Sequence, residues 1–555
     1  MSADAPSPRP EPVPLYLPGE AAAEARMEAR DLPSWDLSPR QLCTLELLLA
    51  GACGPLPGYL GQADHEAVLA RGALADGTPC PWPLTLDVTE AFAAARTPGD
   101  RVALRDPEGL LVAILDVEES WAQPAEAVAA ALAGTGTGVE DWLREECGPA
   151  RLGGRLRGVE RPCHYDFAVL RAEPAELRQR LHRMGWRRVL AVLTRRPLGP
   201  GEHALVMQRA RSLEANVLLL VEGGMPDPGD LRYYARLRAA EAVLPRFSEP
   251  ATELALVPLA PALGSPREGE LRQLVARAYG ATHVLLLDEP ADGEAPPPAA
   301  PGPSPRRLGV ERVETADVHF LPERGRYAVG PPPRGGEPVQ PARSSELLER
   351  LARGERVPEW LAWPEQVEAL ARAWPPRSAQ GFTLFLTGLS GSGKSTIARA
   401  LLGKLMESGA RRVTLLDGDI VRKHLSSELG FSREHRDLNI LRIGFVASEI
   451  TKNGGVAICA PIAPYAATRR RVRAMIEAVG GFVEIHVATP LEVCEARDRK
   501  GLYARARAGL IESFTGISDP YEAPEQPELR LDTTDTSPDE AAQQIVLRLG
   551  ALGYL

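Results

Sequence analysis

The segment Gly388–Ser395 constrains the fold of this 555-residue chain more than any other part of its sequence. It reads GLSGSGKS, fits the pattern GxxxxGK[ST], follows the strand-like run 382–388 and opens a helical pattern. Glycines let such a loop wrap closely around phosphates, and the backbone N–H groups at a helix N-terminus attract them. Lys394 can neutralise β- and γ-phosphate oxygens, and Ser395 can ligate Mg²⁺. The segment therefore predicts a nucleoside triphosphate site.

The region around this loop has the rhythm of an α/β domain. Helical patterns separate the strand-like runs, which predicts a doubly wound α/β domain of about 175 residues with a parallel sheet. The runs lie at 382–388, 412–419, 455–464, 482–489 and 528–533.

The first two-thirds of the chain divide into regions of different character. Short apolar segments at 35–160 include two strand-like runs joined by a DPEG turn, which predicts a β-hairpin. The stretch 124–182 reads as helical in patches. Farther on, a βαβ rhythm predicts a second parallel sheet. Its strand-like runs lie at 189–194, 216–224, 253–260 and 282–289.

Composition excludes several classes of protein. The net charge is −10, from 64 basic and 74 acidic residues, so a nucleic-acid-binding protein is not expected. The seven cysteines include no CxxC pair, which favours reduced thiols over disulfides or a zinc site. Apolar runs such as 217–221 are far shorter than the roughly 20 residues of a membrane span, and no signal-peptide pattern is visible. We therefore expect a cytoplasmic protein without membrane segments.

Two carboxylates follow the second strand of the P-loop region. Asp417 and Asp419 lie at its carboxyl end, where side chains of a parallel sheet face the ligand crevice. One can hold Mg²⁺ through water, and one can accept a proton from an acceptor hydroxyl. A plain strand-to-helix cap is the alternative interpretation.

Basic side chains downstream predict a second anion pocket. Arg436, Asn439 and Arg442 are spaced to share one helix face, and guanidinium groups suit phosphate or sulfate oxygens. Arg422 and Phe431 lie nearby in the sequence, and Phe431 can stack on a base. A further basic run at 497–507 suits a lid that excludes water. Solvated helix faces are the alternative for both groups.

The combined motifs resemble adenylyl-sulfate (APS) kinase over residues 378–555. The matching segments are GLSGSGKST, DGDxxR, LGFSxxxRxxNIxRI, ICAxIAPY, TPLEVCEARDxKGLYARARAG, FTGIxDPYE and PELRLDT. The resemblance implies transfer of the ATP γ-phosphoryl group to the 3′-hydroxyl of adenosine 5′-phosphosulfate (APS), giving ADP and the 3′-phosphorylated product PAPS. It also implies Mg²⁺, ATP as co-substrate and a homo-oligomer.

The resemblance implies specific roles for residues of this chain. Lys394, Asp417 and Asp419 would be catalytic, and Ser395 would bind the metal. The implied ATP-binding residues are Gly388, Ser390, Gly391, Ser392, Gly393, Lys394, Ser395, Thr396 and Arg497. The implied APS-binding residues are Asp419, Arg422, Phe431, Arg436, Asn439, Ile462, Ala463, Lys500 and Phe514. Many members carry a phosphorylatable serine where this chain has Ala463, so that modification is impossible here.

The upstream region resembles ATP sulfurylase (sulfate adenylyltransferase), which makes APS. The resemblance implies an α/β chain with a PUA-like β-rich domain at 1–160 and a nucleotidyltransferase-like α/β domain at 161–305. A helical connector at 306–376 and the P-loop kinase domain at 377–555 would follow.

The sulfurylase motifs are altered in three places. The segment 193–202 lacks the Gln, Asn and both His of QTRNPxHxxH, and His203 is off register by one. Residues 261–269 lose the first arginine of MRYAGPREA. Residues 287–292 replace GRDHAG with a sequence richer in acid, which opposes nucleotide binding. We therefore expect an APS kinase with an inactive sulfurylase-like region.

Three other functions remain as alternatives. A bifunctional PAPS synthetase would have both activities, a regulatory protein would sense APS or PAPS, and another P-loop kinase would use a different small molecule. The histidine losses argue against the first, and the complete kinase motifs argue against the other two.

Overall fold

The chain divides into two compact units. One comprises Met1–Glu349 and Val357–Ala373, and the other comprises Arg350–Arg356 and Trp374–Leu555. The computed structural model describes the chain apart from residues 1–10, 125–127, 129–130, 133–147, 225–229, 249–250, 261–266, 288–307, 332–338, 342–343, 410, 431, 499–500 and 512, and the side chains of residues 344, 345 and 419.

The first unit begins with a β-rich part. Its predicted hairpin is confirmed: Arg101–Arg105 and Leu111–Ala122 pair antiparallel, and Asp106 Oδ1 accepts hydrogen bonds from the backbone of Glu108 and Leu110 in the turn. The strand order is β1-β4-β5-β6-β2, with β3 paired to β6. The elements are α1 (Gly19–Glu28), β1 (Ser34–Asp36), α2 (Pro39–Leu49), β2 (Gly58–Tyr59), α3 (Gln62–Arg71), β3 (Leu86–Val88), α4 (Glu90–Ala94), β4 (Arg101–Arg105), β5 (Leu111–Ala122) and β6 (Ala150–Gly158).

Strand β6 corrects the helical prediction for 124–182. It pairs antiparallel with β5 along its length, so the prediction is wrong for 150–158. Two consecutive glycines disfavour a helix there. A Cβ on Gly154 would lie 2.1 Å from the Asp116 carbonyl oxygen, so glycine permits the close approach of β5. Farther along the chain, the predicted helical character is present at Pro174–Arg183.

The second part of this unit contains the predicted parallel sheet. All four predicted runs form strands, and the order is β11-β10-β7-β8-β9 with every pair parallel. Strand β7 is buried throughout, as expected when helices cover both faces. The elements are α5 (Pro174–Arg183), β7 (Val189–Thr194), α6 (Pro200–Leu213), β8 (Asn216–Glu222), α7 (Leu231–Val243), β9 (Thr252–Val257), α8 (Glu268–Ala278), β10 (His283–Leu286) and β11 (Glu311–Val313).

Among the described residues of the segment 306–376, the α-helices lie in the second half. Besides β11, its first half forms an antiparallel sheet in the order β13-β12-β14, which differs from the expected helical connector. The runs VHFL and RYAV carry β-branched and aromatic residues, and Gly325 between them has a φ of +56°, which suits a hairpin turn. The elements are β12 (Val318–Leu321), β13 (Arg326–Val329), β14 (Gln340–Pro341), α9 (Ser344–Arg353) and α10 (Pro364–Ala371).

The second unit is a doubly wound α/β domain, as predicted. Its sheet has five parallel strands in the order β16-β17-β15-β18-β19, and all five predicted runs form strands. The elements are β15 (Phe382–Thr387), α11 (Lys394–Glu407), β16 (Val413–Asp417), α12 (Gly418–Leu425), α13 (Arg433–Lys452), β17 (Val456–Ala460), α14 (Ala466–Glu477), β18 (Gly481–Val487), α15 (Leu491–Ala496), α16 (Leu502–Arg507), β19 (Leu529–Leu531) and α17 (Pro538–Ala551).

Helices cover the sheet from both sides. Apolar residues of α11 and α17 form one core, including Leu401 and Ile545, and those of α13 and α14 form the other, including Ile443 and Val472. Since the strands are parallel, their carboxyl ends meet at one edge, where such folds bind ligands. The P-loop follows β15, Asp417 ends β16, and the segment after β17 carries residues 462–465.

Candidate functional site

The P-loop wraps tightly between β15 and α11 because its glycines leave room for neighbouring backbone. Gly388 has a φ of +153°, and a Cβ there would lie 2.4 Å from the Val487 carbonyl oxygen. Gly391 has a φ of +77°, and a Cβ there would lie 2.8 Å from the Cys494 carbonyl oxygen. Both positions therefore require glycine, which leaves backbone N–H groups free of side-chain cover.

Lys394 lies inside this loop. Its ammonium group donates hydrogen bonds to the carbonyl oxygens of Gly388 (2.8 Å) and Leu389 (2.6 Å). Its side chain is buried, and burial lowers the pKa of Lys394 to about 8. A buried cation held by neutral carbonyls gains from an anionic partner, so the geometry suits phosphate binding.

A layer of hydroxyl groups that the sequence analysis missed supports the loop. Thr489 and Thr533 donate hydrogen bonds to the Ser392 carbonyl oxygen, at 3.1 and 3.0 Å. Tyr503 donates to the Ser390 carbonyl oxygen at 2.8 Å. Arg497, a predicted ATP-binding residue, donates to Thr533 Oγ1 at 2.8 Å and so lies at the same layer.

Ser395 and Asp417 bring two hard oxygen donors together. The Ser395 hydroxyl donates to Asp417 Oδ1 at 3.3 Å, and Asp417 is buried at the end of β16. Thr396 follows in the first turn of α11, and Asp419 lies in the first turn of α12. A hydroxyl beside a carboxylate at a helix N-terminus suits Mg²⁺, which prefers oxygen ligands.

Arg436 is paired with a carboxylate of the chain. It donates to Thr515 Oγ1 and to Asp519 Oδ2, both at 2.9 Å, and Tyr465 also donates to Asp519 Oδ2 at 2.9 Å. The motif pattern predicts that Arg436 binds an anionic group of the substrate. The structure brings it to the segment that carries Phe514, another predicted APS-binding residue.

One turn along α13 lies Asn439. It is 5% exposed, and its amide oxygen has no hydrogen-bond partner among the described residues. A buried amide oxygen in this state gains from a donor on a ligand.

The other basic residues of this region contact the chain itself. Arg422 donates to the Leu429 and Gly430 carbonyl oxygens at 3.2 Å, and Arg442 donates to Glu428 and to the Leu425 carbonyl oxygen. These arginines brace the segment before α13. Phe431 and Lys500 lie outside the described residues, as does the side chain of Asp419.

Two more predicted APS-binding residues follow β17. The Ile462 carbonyl oxygen accepts a hydrogen bond from Thr387 Oγ1 at 2.6 Å, which ties this turn to the strand before the P-loop. Ala463 is buried and has a φ of +47°, a left-handed conformation that costs energy for a residue with a Cβ. The ring of Phe514 packs edge-on against Tyr503, with centroids 5.1 Å apart.

The first unit has a charged cluster at the carboxyl ends of β7 and β8. Glu222 is 3% exposed and pairs with Nε of Arg195 and, at 2.8 Å, with Nε of Arg272. The arginine that survives from the first sulfurylase motif is thus neutralised by a carboxylate of the chain.

His203, which is off register by one in the first altered motif, contacts the segment 246–247 of this unit. Its Nε2 lies 3.1 Å from the Arg246 carbonyl oxygen, its ring packs edge-on against Phe247, and burial lowers its pKa. Residues 261–266 and 288–292 of the other two altered motifs lie outside the described residues.

The fold and the P-loop geometry define a phosphate-binding α/β domain at the end of a multidomain chain. Three family matches run in order along the sequence: a PUA-like domain at 7–161, ATP-sulfurylase at 168–373 and Adenylylsulphate kinase at 380–532. The chain belongs to the family of fused sulfate adenylyltransferase and adenylyl-sulfate kinase proteins, as its motifs predict. Its C-terminal domain is an adenylyl-sulfate kinase.

Full-length relatives support this assignment. Proteins named Sulfate adenylyltransferase from Emericella nidulans and Phaeosphaeria nodorum are 41% and 40% identical over 552 and 549 residues, covering 95% and 96% of both chains. A solved structure, the hexameric APS kinase from Thiobacillus denitrificans, matches with a TM-score of 0.80 and 41% identity, covering 98% of both chains.

Among the described residues, every helix is too short or too polar to cross a membrane.

Proposed function

We propose that this chain transfers the γ-phosphoryl group of ATP to the 3′-hydroxyl of APS and does not make APS itself. The observation that carries the kinase assignment is the P-loop, in which buried Lys394 lies beside the Ser395–Asp417 pair. Phosphoryl transfer needs positioning and charge neutralisation more than covalent chemistry, and these groups supply both.

The residues present fit a magnesium ion. Ser395 Oγ and, directly or through water, Asp417 would hold it, because both oxygens lie at the same place next to the P-loop. Bound Mg²⁺ would neutralise charge on the β- and γ-phosphates.

The roles of the chain's own groups in ATP binding follow from their positions. Lys394 exchanges its carbonyl contacts for phosphate oxygens, and the backbone of 388–393 donates hydrogen bonds to them. Ser390, Ser392, Gly393 and Thr396 complete the loop and first turn. Arg497 adds positive charge at the loop's supporting layer.

APS would bind at the edge formed by α13, the turn after β17 and the segment 514–522. Asn439 offers a buried amide, and Arg436 lies between α13 and that segment. Asp417 or Asp419 would position or deprotonate the acceptor hydroxyl. Arg422, Phe431, Ile462, Ala463, Lys500 and Phe514 complete the proposed APS site.

Loss of the sulfurylase activity rests on the altered motifs and on the cluster around Glu222. Arg195 is the surviving arginine of the first motif, and its charge is satisfied within the protein by Glu222. An anionic substrate would have to compete with a carboxylate that is 3% exposed and paired with two arginines.

A bifunctional PAPS synthetase is the second candidate. The observation that favours it is the name Sulfate adenylyltransferase carried by relatives that are about 40% identical over nearly the whole chain. Those names indicate sulfate adenylyltransferase activity in the relatives. The altered residues at 193–202 argue against that activity in this chain.

We also propose the domain boundaries 1–160, 161–305, 306–376 and 377–555, a cytoplasmic location and a homo-oligomer. Assembly is suggested by the hexameric neighbour. Leu438 and Phe445 lie seven residues apart on α13, and they are 40% and 60% exposed, so they present an apolar face suited to a second copy.

Product release separates the candidate functions. The full chain is supplied with ATP and Mg²⁺ together with either APS or sulfate, and ADP and pyrophosphate are measured. The proposal predicts ADP with APS and no pyrophosphate with sulfate. Lys394→Ala should abolish ADP release, and normal PAPS formation by this variant would refute the site.

A further inference from the structure

A buried arginine outside the predicted site connects two walls of the proposed APS pocket. Arg469 lies in the first turn of α14 and is 4% exposed. Its Nη1 donates to the Ala463 carbonyl oxygen and its Nη2 to the Glu522 carbonyl oxygen, both at 2.8 Å. We call residues 462–465 the substrate turn and residues 514–522 the cover segment; one guanidinium group thus bonds to both.

The guanidinium is held in place by a buried carboxylate. Arg469 Nε donates to Glu484 Oε1 at 2.9 Å, and Glu484 is 8% exposed on β18. The other oxygen of Glu484 lies 3.4 Å from Nη2 of Arg473, one turn farther along α14. Because strand β18 fixes Glu484, this ion pair holds the guanidinium group of Arg469 in a defined orientation relative to the sheet.

Further contacts join the same two segments. The Glu522 backbone N–H donates to the Pro464 carbonyl oxygen at 2.9 Å, and Glu522 Oε2 accepts from the Ala466 backbone at 2.6 Å. Tyr521 lies 3.0 Å, oxygen to oxygen, from Thr387 Oγ1, which itself donates to Ile462. Arg469 differs from these groups because its two bonds to the segments end on main-chain oxygens, which side-chain changes cannot remove.

Ala463 shows why the substrate turn needs such support. Its left-handed backbone is strained for alanine, and a strained turn persists only where its surroundings hold it. The Arg469 bond to the Ala463 carbonyl oxygen fixes the peptide plane that follows the strained residue.

We propose that Arg469 is a positioning residue for the acceptor substrate: it locks the substrate turn to the cover segment and so sets the affinity for APS, without contacting ATP. This inference rests on the proposed kinase function. Lysine cannot replace arginine here, because its single nitrogen cannot reach three acceptors that lie in different directions.

The test compares Arg469→Lys with Arg473→Lys in the full chain. Arg473 shares Glu484 but bonds otherwise to Glu477 and Glu528, so it contacts neither segment and serves as the matched control. Arg469→Lys should raise KM for APS about tenfold and leave KM for ATP within about twofold, because only acceptor placement changes. Arg473→Lys should leave both constants within about twofold.

An unchanged KM for APS in Arg469→Lys, or an equal rise for ATP, would overturn the inference. So would the same APS effect in Arg473→Lys. If Arg469→Lys does not melt cooperatively, Glu484→Gln provides the test instead. This variant keeps the side-chain shape but removes the negative charge that pairs with Arg469. Its KM for APS should rise about threefold, and its KM for ATP should not change. The wild type in the same assay distinguishes the two proposals, since absence of ADP there contradicts the kinase function itself.

Discussion

The hydroxyl group of Ser395 lies 3.3 Å from Oδ1 of Asp417, which joins the first turn of α11 to the end of the neighbouring strand β16. If this pair serves the transferring phosphoryl group, Asp417→Asn should lower kcat for ADP release by about 100-fold at saturating ATP and APS. Ser395→Ala should raise the Mg²⁺ concentration needed for half-maximal rate.

Asp532→Asn is the matched control for Asp417→Asn. Asp532 follows β19, and among the described residues its side chain accepts hydrogen bonds from Thr534 in its own turn, so kcat of Asp532→Asn should stay within about twofold of wild type. Equal activities of the two variants would contradict the role assigned to Asp417.

The kinase sheet and its P-loop could be predicted because they depend on local signals. Buried parallel strands read as apolar runs, and the glycines, Lys394 and Ser395 occupy fixed positions in one motif. Asp417 could be placed at a strand end for the same reason.

Contacts between distant segments could not be predicted. The pairing of Arg436 with Asp519, 83 residues later, and of Arg469 with the Glu522 carbonyl, 53 residues later, depends on how loops meet at the sheet edge. The run 216–224 predicts strand β8, but nothing local in it shows that Glu222 neutralises Arg195 and Arg272. The strand at 150–158 likewise depends on its pairing with Leu111–Ala122, which no local pattern in the sequence shows.

His486 should make the stability of the kinase domain depend on pH. Burial, with the nearby Arg530 and Arg469, lowers the pKa of His486 to about 4 from an ordinary value of 6.5. Between pH 6.5 and 4 the unfolded chain therefore binds a proton that the folded protein does not, so this contribution to stability falls as the pH falls.

The measurement is the free energy of unfolding in urea at pH 7 and pH 4.5. His486→Gln should lose less stability than wild type on acidification, by about 1–3 kcal/mol. His424→Gln, at an exposed position of α12, should behave as wild type. Parallel pH profiles for His486→Gln and wild type would rule out this assignment.

Glu222 should be essential to the stability of the first unit. Replacing it by Gln removes the buried carboxylate that pairs with both Arg195 and Arg272, and Glu268, 3.7 Å from Arg195, is a more distant partner. The change should therefore cost about 3–5 kcal/mol of unfolding free energy. Glu214→Gln, whose carboxylate is 85% exposed beside Arg188, should cost less than about 0.5 kcal/mol. If Glu222→Gln loses as little unfolding free energy as Glu214→Gln, the charge of Glu222 does not stabilise this cluster.

Phe445 should contribute to assembly of the chain. Its ring is 60% exposed on α13, so Phe445→Ser removes apolar area from the face proposed to meet a second copy. Light scattering after size-exclusion chromatography should show a smaller assembly for this variant. Leu547→Ser, which changes an apolar residue that is 65% exposed on α17, should keep the assembly mass of the wild type. The same assembly mass for both variants would exclude the α13 face.

We propose that a working kinase is joined in this chain to a sulfurylase-like region that makes no APS. The most direct measurement incubates the full chain with ATP, Mg²⁺, inorganic pyrophosphatase and radiolabelled sulfate, and in parallel with labelled APS, and follows label into PAPS. We predict PAPS from APS and none from sulfate. Label passing from sulfate into APS or PAPS would contradict the account and establish a bifunctional enzyme.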